Sequence, residues 1–221
     1  MIRLFEIIVS FLAIVILMPF LLPIMVVLRL TGEGEVFYKQ ERIGRGGEKF
    51  NILKFATMLK DSPNMKNAYI TLRDDPRVLP LGKFLRKTKM NELPQLINIL
   101  KGDISIVGPR PQVESHFDLY PDDKKTEILS IQPGLTGVAS IFFRDEEAMI
   151  SKSKLSPKDF YKQYIVPYKI ELELWYKDNQ SVFLYFQIIF LTGICVLFSN
   201  TQIHKRALKN LPSPPPELSG S

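Results

Sequence analysis

The stretch RKTKMNELPQLINILKGDISIVGPRP, residues 86–111, decides the fold of the middle of this chain. Pro94 suits the first turn of a helix over about Leu93–Leu100, because the N–H that proline lacks has no helical partner there. Asn91 and Glu92 then lie just before that helix or in its first turn, where free backbone N–H groups and the helix dipole favour anions. The pattern predicts a helix whose start favours a phosphate.

After this helix, the sequence predicts a short buried strand at Ile104–Val107 that ends in the turn Gly108-Pro109-Arg110-Pro111. The prolines fix φ on both sides of the arginine, so a stiff turn holds a guanidinium that can bind a phosphate through two hydrogen bonds. Each feature alone has a structural explanation, since asparagine is an ordinary N-cap and an arginine beside a proline is usually a surface residue. Their combination in one span indicates phosphate chemistry.

Upstream, Val36–Gln40 and Phe50–Phe55 alternate or run apolar like two short strands around a glycine-rich turn at residues 44–47. This arrangement predicts a hairpin. The glycine turn lacks the Gly-Lys-Ser/Thr ending and the following helix of a phosphate loop, so we interpret it as the hairpin turn.

The N-terminal run Ile7–Leu28 has no charged residue and is long enough to cross the core of a bilayer. Pro19 and Pro23 each remove a backbone hydrogen bond in its second half and favour a bend. Basic residues flank both ends, and the positive-inside rule therefore places both ends in the cytoplasm. These residues are Arg3 before the run and Arg29, Lys39, Arg42 and Arg45 after it. We expect a re-entrant helix broken at Pro19, with a proline-kinked single span as the alternative.

A second uncharged apolar stretch, Ser181–Ser199, follows a segment rich in tyrosine with one tryptophan, as is typical of a membrane interface. Its length allows a spanning helix. The aromatic residues that precede this stretch favour a helix that lies on the membrane surface instead. The proline-rich residues 209–221 are predicted to be disordered.

The 221 residues carry a net charge of +6 at pH 7 and one cysteine, Cys195. This charge suits an anionic membrane face or phosphorylated substrates. We expect no nucleic-acid partner, because the sequence has no zinc-ligand spacing, RNP-like string or recognition-helix pattern. One cysteine in an apolar run excludes a disulfide framework and agrees with a reducing, cytoplasmic compartment.

The middle of the chain resembles the signature of the bacterial sugar transferases, the monotopic polyprenyl-phosphate glycosyl-1-phosphate transferases. Their pattern has an Asp-Glu pair, Leu-Pro-Gln-Leu, a Lys-Gly-Asp-Met-Ser-like turn and Val-Gly-Pro-Arg-Pro. This chain is similar to it at Glu92–Leu96, Lys101–Ser105 and Val107–Pro111. The resemblance covers nearly the whole chain, with further similar segments at Phe37–Met58, Gln132–Gly137 and Lys169–Asn179.

Two positions depart from the family pattern. Ala56 stands where an arginine is usual, which removes one cation, and Asn91 occupies the place of the family's aspartate nucleophile. The second departure keeps an alternative open, namely a catalytically inactive membrane-bound relative that acts as an assembly partner. A basic membrane-associated binding module without this chemistry is a third hypothesis.

The resemblance implies an enzyme, a phosphoglycosyl transferase. It would transfer a sugar-1-phosphate from a nucleotide diphosphate sugar, expected to be a UDP-sugar, to polyprenyl (undecaprenyl) phosphate and release the nucleoside monophosphate. This reaction is the first membrane step in assembling surface glycans such as exopolysaccharide, capsule or O-antigen. The implied partners are the nucleotide-sugar donor, the lipid phosphate acceptor and membrane lipid, and a homodimer stays open.

Transfer of a phosphoryl group needs cations on the diphosphate and a carboxylate that attacks phosphorus or holds a metal. Glu92 is the predicted catalytic carboxylate and the ligand of Mg²⁺, the expected cofactor. Asn91 would cap the helix and donate a hydrogen bond to a phosphoryl oxygen. The predicted phosphate-binding residues are Lys54, Arg86, Arg110 and Arg144. Further acidic candidates are Asp103 and Glu173.

These features predict an α+β protein in four parts. Residues 1–30 form a membrane-inserted re-entrant helix–break–helix, and residues 31–180 form a small cytoplasmic mixed α/β catalytic domain. Residues 181–208 form a membrane-associated C-terminal helix that is interfacial and either amphipathic or apolar. Residues 209–221 form a disordered tail. The predicted location is the bacterial inner membrane, with the catalytic domain on its cytoplasmic face.

Overall fold

The chain is a mixed α/β protein in two compact units. A computed structural model describes four stretches of it: residues 2–62, residue 65, residues 75–198 and residues 207–219. The first unit consists of residues 1–41 and 51–103, and the second of residues 42–50 and 104–221.

The first unit is built on one long helix. Its helices are α1 (Ile2–Leu30), α2 (Pro80–Lys87) and α3 (Gln95–Lys101), with a 3-10 turn at Met90–Glu92. The strands β1 (Phe37–Ile43) and β2 (Lys49–Phe55) pair in a two-stranded sheet, of which this unit holds the larger part. The N–H of Gly44 donates to the Glu48 carbonyl across the connecting turn at 2.7 Å. The predicted hairpin is confirmed.

Helix α1 runs without interruption through Pro19 and Pro23. The expected break at Pro19 is therefore wrong, because a proline can bend a helix and remove a hydrogen bond without ending it. Leu21 and Leu28 of this helix are buried in a cluster with Phe55 and Leu85. One face of the C-terminal half of α1 thus packs against Phe55 and Leu85 within the first unit.

Among the described residues, α1 is the one helix that is long and apolar enough to cross a membrane, with a mean hydropathy of 3.0 over its most apolar window. Only 11% of that window is buried in the protein. A helix that exposes apolar side chains along most of its length is compatible with association with a membrane.

The predicted helix at Leu93–Leu100 exists but begins later. Pro94 has helical dihedral angles and stands at the N-cap, and α3 starts at Gln95. Asn91 and Glu92 consequently lie in the 3-10 turn that precedes the helix. The turn forms because the N–H of Glu92 donates to the Lys89 carbonyl at 3.1 Å, one residue short of an α-helical bond.

The second unit surrounds two parallel strands, β3 (Ser105–Val107) and β4 (Gly134–Thr136). Ser105 pairs with Gly134 and Val107 with Thr136. The strand predicted at Ile104–Val107 is confirmed. The helices of this unit are α4 (Glu114–Phe117), α5 (Asp122–Leu129), α6 (Val138–Phe142), α7 (Glu146–Lys152), α8 (Pro157–Phe160), α9 (Val166–Asp178), α10 (Val182–Leu197) and α11 (Pro216–Ser219), with a π-helical turn at Tyr161–Ile165.

Helix α10 has two apolar faces. Leu184, Ile188 and Leu191 are buried against the second unit, and Phe183 and Phe190 are exposed. At 16 residues, α10 is about 24 Å long, which is shorter than the ~30 Å hydrocarbon core of a bilayer.

Part of the tail that was expected to be disordered is ordered. Residues 207–219 end in the short helix α11, and Leu218 is fully buried. The hydroxyl of Tyr168 on α9 donates to the Pro212 carbonyl at 2.8 Å. Proline-rich composition predicts poor packing on average, whereas here one apolar side chain and one hydrogen bond fix the segment on the second unit.

Candidate active site

The first unit holds Glu92 against a lysine. Lys54 Nζ lies 3.4 Å from Glu92 Oε1, and both side chains are only about one-sixth exposed. An ion pair shielded in this way is stronger than one in open solvent. The pair joins two predicted site residues that are 38 positions apart in sequence.

Asn98 explains why Lys54 and Glu92 meet. Its Oδ1 accepts a hydrogen bond from the N–H of Leu53 at 2.9 Å, and its Nδ2 donates to the Asn51 carbonyl at 2.8 Å. One buried amide therefore fixes the register of β2 against α3. Lys54, the residue after Leu53, is thereby set beside the turn that carries Glu92.

Asp103 belongs to the same hydrogen-bond network. Its Oδ2 accepts a hydrogen bond from Asn98 Nδ2 at 2.8 Å, and the Asp103 N–H donates to the Asn98 carbonyl at 3.0 Å. The contacts of this acidic candidate are thus those of a residue that orients Asn98. Sequence reasoning missed Asn98 itself, although an amide at an apolar position of a short helix was a usable signal.

Asn91 is buried beside Glu92. Its Oδ1 has no hydrogen-bond partner among the described residues, and the same holds for Nε2 of Gln95, four positions on. Lys89, just ahead of the turn, has a left-handed backbone with φ 59° and ψ 10°. Buried polar atoms without partners and a strained non-glycine residue are both uncommon, and they occur together at functional sites.

Arg86 lies in the last turn of α2, where its Nη1 is 3.8 Å from the sulfur of Met58. It is half-buried, and the sequence predicts that it binds a phosphate. That role stays a prediction.

In the second unit, Arg110 lies on the turn that follows β3, and backbone hydrogen bonds with β4 hold that turn. The N–H of Gly108 donates to the Thr136 carbonyl, and the N–H of Gly134 to the Pro109 carbonyl, both at 2.8 Å. A Cβ on Gly108 would lie 2.2 Å from the Gln132 carbonyl oxygen, so only glycine allows this approach. The two strands thereby fix the first half of the turn.

Glu173 on α9 reaches the same turn. The N–H of Arg110 donates to Glu173 Oε1 at 3.4 Å, while Oε2 has no partner among the described residues. Burial raises the pKa of this carboxyl to about 7, and the Arg110 N–H and the charge of Lys169 act in the opposite direction. Glu173 therefore contacts the backbone of the predicted phosphate-binding turn.

Arg144 lies at the C-terminal end of α10. Its Nη1 and Nη2 donate to the carbonyls of Phe198 at 3.5 Å and Val196 at 3.4 Å, at the C-terminal end of α10. A cation at that end satisfies exposed carbonyls and the helix dipole. These contacts are those of a helix cap, and the phosphate-binding role of Arg144 stays a prediction.

A buried charged cluster beside α9 was not found by sequence reasoning. Lys169 Nζ lies 2.5 Å from Glu146 Oε2 and above the rings of Phe143 and Tyr161. The Tyr161 hydroxyl is 3.1 Å from Nδ1 of His116, whose pKa is lowered to about 4, chiefly by burial and then by the charges of Lys169 and Arg42. The cluster keeps His116 neutral near pH 7.

A family model described as bacterial sugar transferase matches residues 1–199, and the chain belongs to this family. ExoY of Sinorhizobium fredii, an exopolysaccharide production protein, is 37% identical over 158 residues, which cover 65% of this chain and 70% of that protein. EpsL of Bacillus subtilis, an uncharacterized sugar transferase, is 39% identical over 173 residues, which cover 78% and 75%. A UDP-glucose:undecaprenyl-phosphate glucose-1-phosphate transferase of Klebsiella pneumoniae is 36% identical over 193 residues, which cover 86% of this chain and 38% of that protein.

Proposed function

We propose that this protein transfers a sugar-1-phosphate from a UDP-sugar to undecaprenyl phosphate and releases UMP. Its family and the activity for which the Klebsiella pneumoniae relative is named support this reaction. The observation that carries it is the Glu92–Lys54 pair beside the buried Asn91, which places a carboxylate and a cation in the family's motif. The proposed setting is the assembly of an exopolysaccharide or a related surface glycan.

Glu92 is the proposed essential carboxylate in either of two routes. In the covalent route it attacks the phosphorus that bears the sugar and expels UMP, and the lipid phosphate then displaces Glu92. In the direct route the lipid phosphate attacks the donor itself. The proposed phosphate-binding residues are Lys54, Arg86, Arg110 and Arg144, since a diphosphate needs cations as its leaving group departs.

Magnesium is the proposed cofactor, and the residues present fit it in part. No three His, Cys, Asp or Glu side chains come together as a metal site within the part of the chain that the structure describes. The Glu92 carboxylate and the buried, unpartnered Oδ1 of Asn91, on consecutive residues of one turn, are nevertheless oxygen ligands of the kind that a hard cation prefers. Mg²⁺ held there would neutralise charge on the donor diphosphate.

For the N-terminal segment we propose a re-entrant helix that bends at Pro19 and Pro23 without ending there. Arg3, at one end of α1, donates from Nη2 to the Leu100 carbonyl at 3.2 Å, and Leu28, at the other end, packs with Phe55. Both contacts are to the first unit. A helix that crossed the bilayer would place its ends on opposite sides, so contacts of both ends with one unit favour a return to the same side.

Cysteine labelling tests this topology. Single cysteines introduced near Arg3 and Thr31 should both react only with a reagent that enters the cytoplasm. Labelling of the Arg3 site from the periplasm alone would show a full span. For α10, the exposed Phe183 and Phe190 support a helix that lies on the membrane surface, with the catalytic domain on the cytoplasmic face of the inner membrane.

The activity is tested with purified protein, undecaprenyl phosphate and a panel of UDP-sugars. We expect release of UMP with at least one sugar, dependent on both the lipid phosphate and Mg²⁺. Asn91 favours a second candidate function, an inactive relative that serves in assembly, because a neutral amide is a poor nucleophile towards phosphorus. Absence of UMP release with every donor, from protein that still binds membranes, would favour that second function.

A further inference from the structure

We infer that Arg42 is a positioning residue, which fixes the turn that presents the Arg110 guanidinium to a phosphate. The inference rests on the proposed function, since it takes Arg110 as a phosphate-binding residue. Arg42 lies at the end of β1 and donates from Nη1 to the Pro111 carbonyl at 3.1 Å. The two residues are 69 positions apart in sequence.

The turn needs outside partners because two of its residues are prolines. Pro109 and Pro111 have no N–H, so few backbone donors are left to form bonds within the turn. The first half is fixed by β4, through the bonds of Gly108 and Pro109 with Thr136 and Gly134. The second half, Arg110 to Gln112, relies on side chains and on the end of β1.

Three side chains hold this second half, and we call them the turn clamp: Arg42, Gln112 and Glu173. Gln112 Nε2 donates to the Arg110 carbonyl at 2.8 Å, and Glu173 Oε1 accepts from the Arg110 N–H at 3.4 Å. With the Arg42 bond to Pro111, every polar backbone atom of Arg110 and Pro111 has a partner. The Ile43 N–H donates to the Gln112 carbonyl at 2.9 Å and anchors the exit of the turn.

Arg42 forms the strongest kind of bond in the clamp. Its guanidinium bond at 3.1 Å is charge-assisted, whereas the Gln112 bond joins neutral groups and the Glu173 bond is longer, at 3.4 Å. Pro111 is buried, so loss of this donor would leave its carbonyl in an apolar setting with water largely excluded. The backbone of the turn would then become less ordered, and the Arg110 guanidinium would no longer be held in one orientation.

The charges of Arg42 and Arg110 both act on one buried side chain, that of Tyr161. Burial and the charge of Glu146 raise the pKa of Tyr161, and the charges of Arg42 and Arg110 both act to lower it. Because Arg42 contacts Pro111, the residue next to Arg110, a direct phosphate contact by Arg42 is the competing explanation. The two explanations differ in whether the effects of Arg42 and Arg110 are independent.

A double-mutant cycle separates them. We expect Arg42→Gln to lower kcat for UMP release at least tenfold with little change in KM for the UDP-sugar, since misplacing a group by about 1 Å costs up to ~100-fold. In an Arg110→Lys background, Arg42→Gln should cost less than about threefold, because the fork it positions is already lost. Losses that multiply would mean that Arg42 acts on its own and would overturn the inference.

Arg45→Gln is the matched control, since Arg45 is exposed and lies three residues further along the same hairpin. It should change kcat less than twofold. If Arg42→Gln fails to fold, Arg42→Lys serves instead, and it should show a smaller loss of kcat because its charged donor is long enough to reach the Pro111 carbonyl.

Hydrogen exchange on the full chain tests the turn without relying on activity. Arg42→Gln should speed exchange at the amides of Arg110 and Gln112 at least tenfold, and Arg45→Gln should not. Unchanged exchange in Arg42→Gln would overturn the positioning role even if kcat fell. If the wild-type protein releases no UMP, the proposed function fails, and the exchange result alone decides whether Arg42 fixes the turn.

Discussion

Glu92 and Arg110 are the two charged side chains on which the proposed chemistry depends most, and the two units hold them differently. Glu92 is held by a side-chain ion pair with Lys54, and its neighbour Asn91 keeps a buried oxygen without a partner. Arg110 stands on a turn whose backbone is fixed by β4 and by the turn clamp. An ion pair holds the Glu92 side chain, whereas hydrogen bonds to the backbone hold the turn that carries Arg110.

This difference leads to a rule for substitutions. A change that keeps shape and removes charge should affect the Glu92 region most. At Arg110 itself, a change that keeps charge and alters the shape of the side chain should have the larger effect. The four predictions that follow use this rule.

The largest effect is expected from Glu92→Gln, which keeps the shape of the side chain and removes its charge. Activity should fall below about a thousandth of the wild-type rate, because an amide neither attacks phosphorus nor balances Lys54 or Mg²⁺. UMP release at saturating donor measures it. Glu114→Gln is the matched control, since Glu114 forms an exposed ion pair with Lys49 at 2.8 Å and its loss should leave activity unchanged. An active Glu92→Gln protein would remove the catalytic assignment.

Arg110→Lys keeps the charge and loses the planar fork. We expect kcat/KM to fall about 100-fold, as for the loss of an oriented donor to a developing anion, with a melting temperature close to that of the wild type. Arg45→Lys, at an exposed arginine, should leave both unchanged. Wild-type turnover by Arg110→Lys would show that Arg110 does not bind phosphate through its fork.

Asn91→Asp adds a carboxylate next to Glu92 and restores the residue that the family uses. Activity should be preserved or rise by up to about tenfold, because a carboxylate supplies both charge for Mg²⁺ and a nucleophile. Asn98→Asp is the matched control, an identical change at another buried asparagine. It should lower the melting temperature, since Asn98 Nδ2 donates to Asn51 and Asp103 and an aspartate cannot. A loss of activity in Asn91→Asp, with folding intact, would contradict the prediction.

The smallest effect is expected from Glu173→Gln and concerns stability against pH. Burial raises the pKa of Glu173 to about 7 in the folded protein, above its ordinary value of 4.5. The folded state therefore binds a proton more readily than the unfolded state, so this group favours folding below pH 4.5, and that contribution is lost as pH rises through 7. Glu173→Gln removes this titration.

Thermal melting at pH 5 and pH 8 measures the effect. The wild-type melting temperature should fall between these values by roughly 5 °C more than that of Glu173→Gln, which corresponds to on the order of 2 kcal/mol. Equal pH dependence of the two proteins would show that Glu173 keeps an ordinary pKa. In that case Glu173 would accept the Arg110 N–H as a charged group at neutral pH.

Local sequence patterns were sufficient for several elements. The alternating strands of the hairpin, the buried strand before Gly108 and the apolar run of α1 are each encoded within a few consecutive residues. Boundaries were less predictable, because Pro94 allows a helix to start at either side of it and a 3-10 turn precedes α3. The continuity of α1 was not predictable either. A helix can continue through Pro19 and Pro23 when the hydrogen bonds of its neighbouring turns remain intact.

The sequence by itself determined which residues are proposed to carry the chemistry, because Glu92 and the two prolines around Arg110 lie in one motif whose residue types suit a phosphate. Only the tertiary structure decided what holds them. Asn98 brings Lys54 to Glu92, Arg42 reaches Pro111, and the guanidinium of Arg144 goes to the end of α10. Such bonds join residues about 40 to 70 positions apart. They depend on how strands and helices pack, and no local pattern specifies that packing.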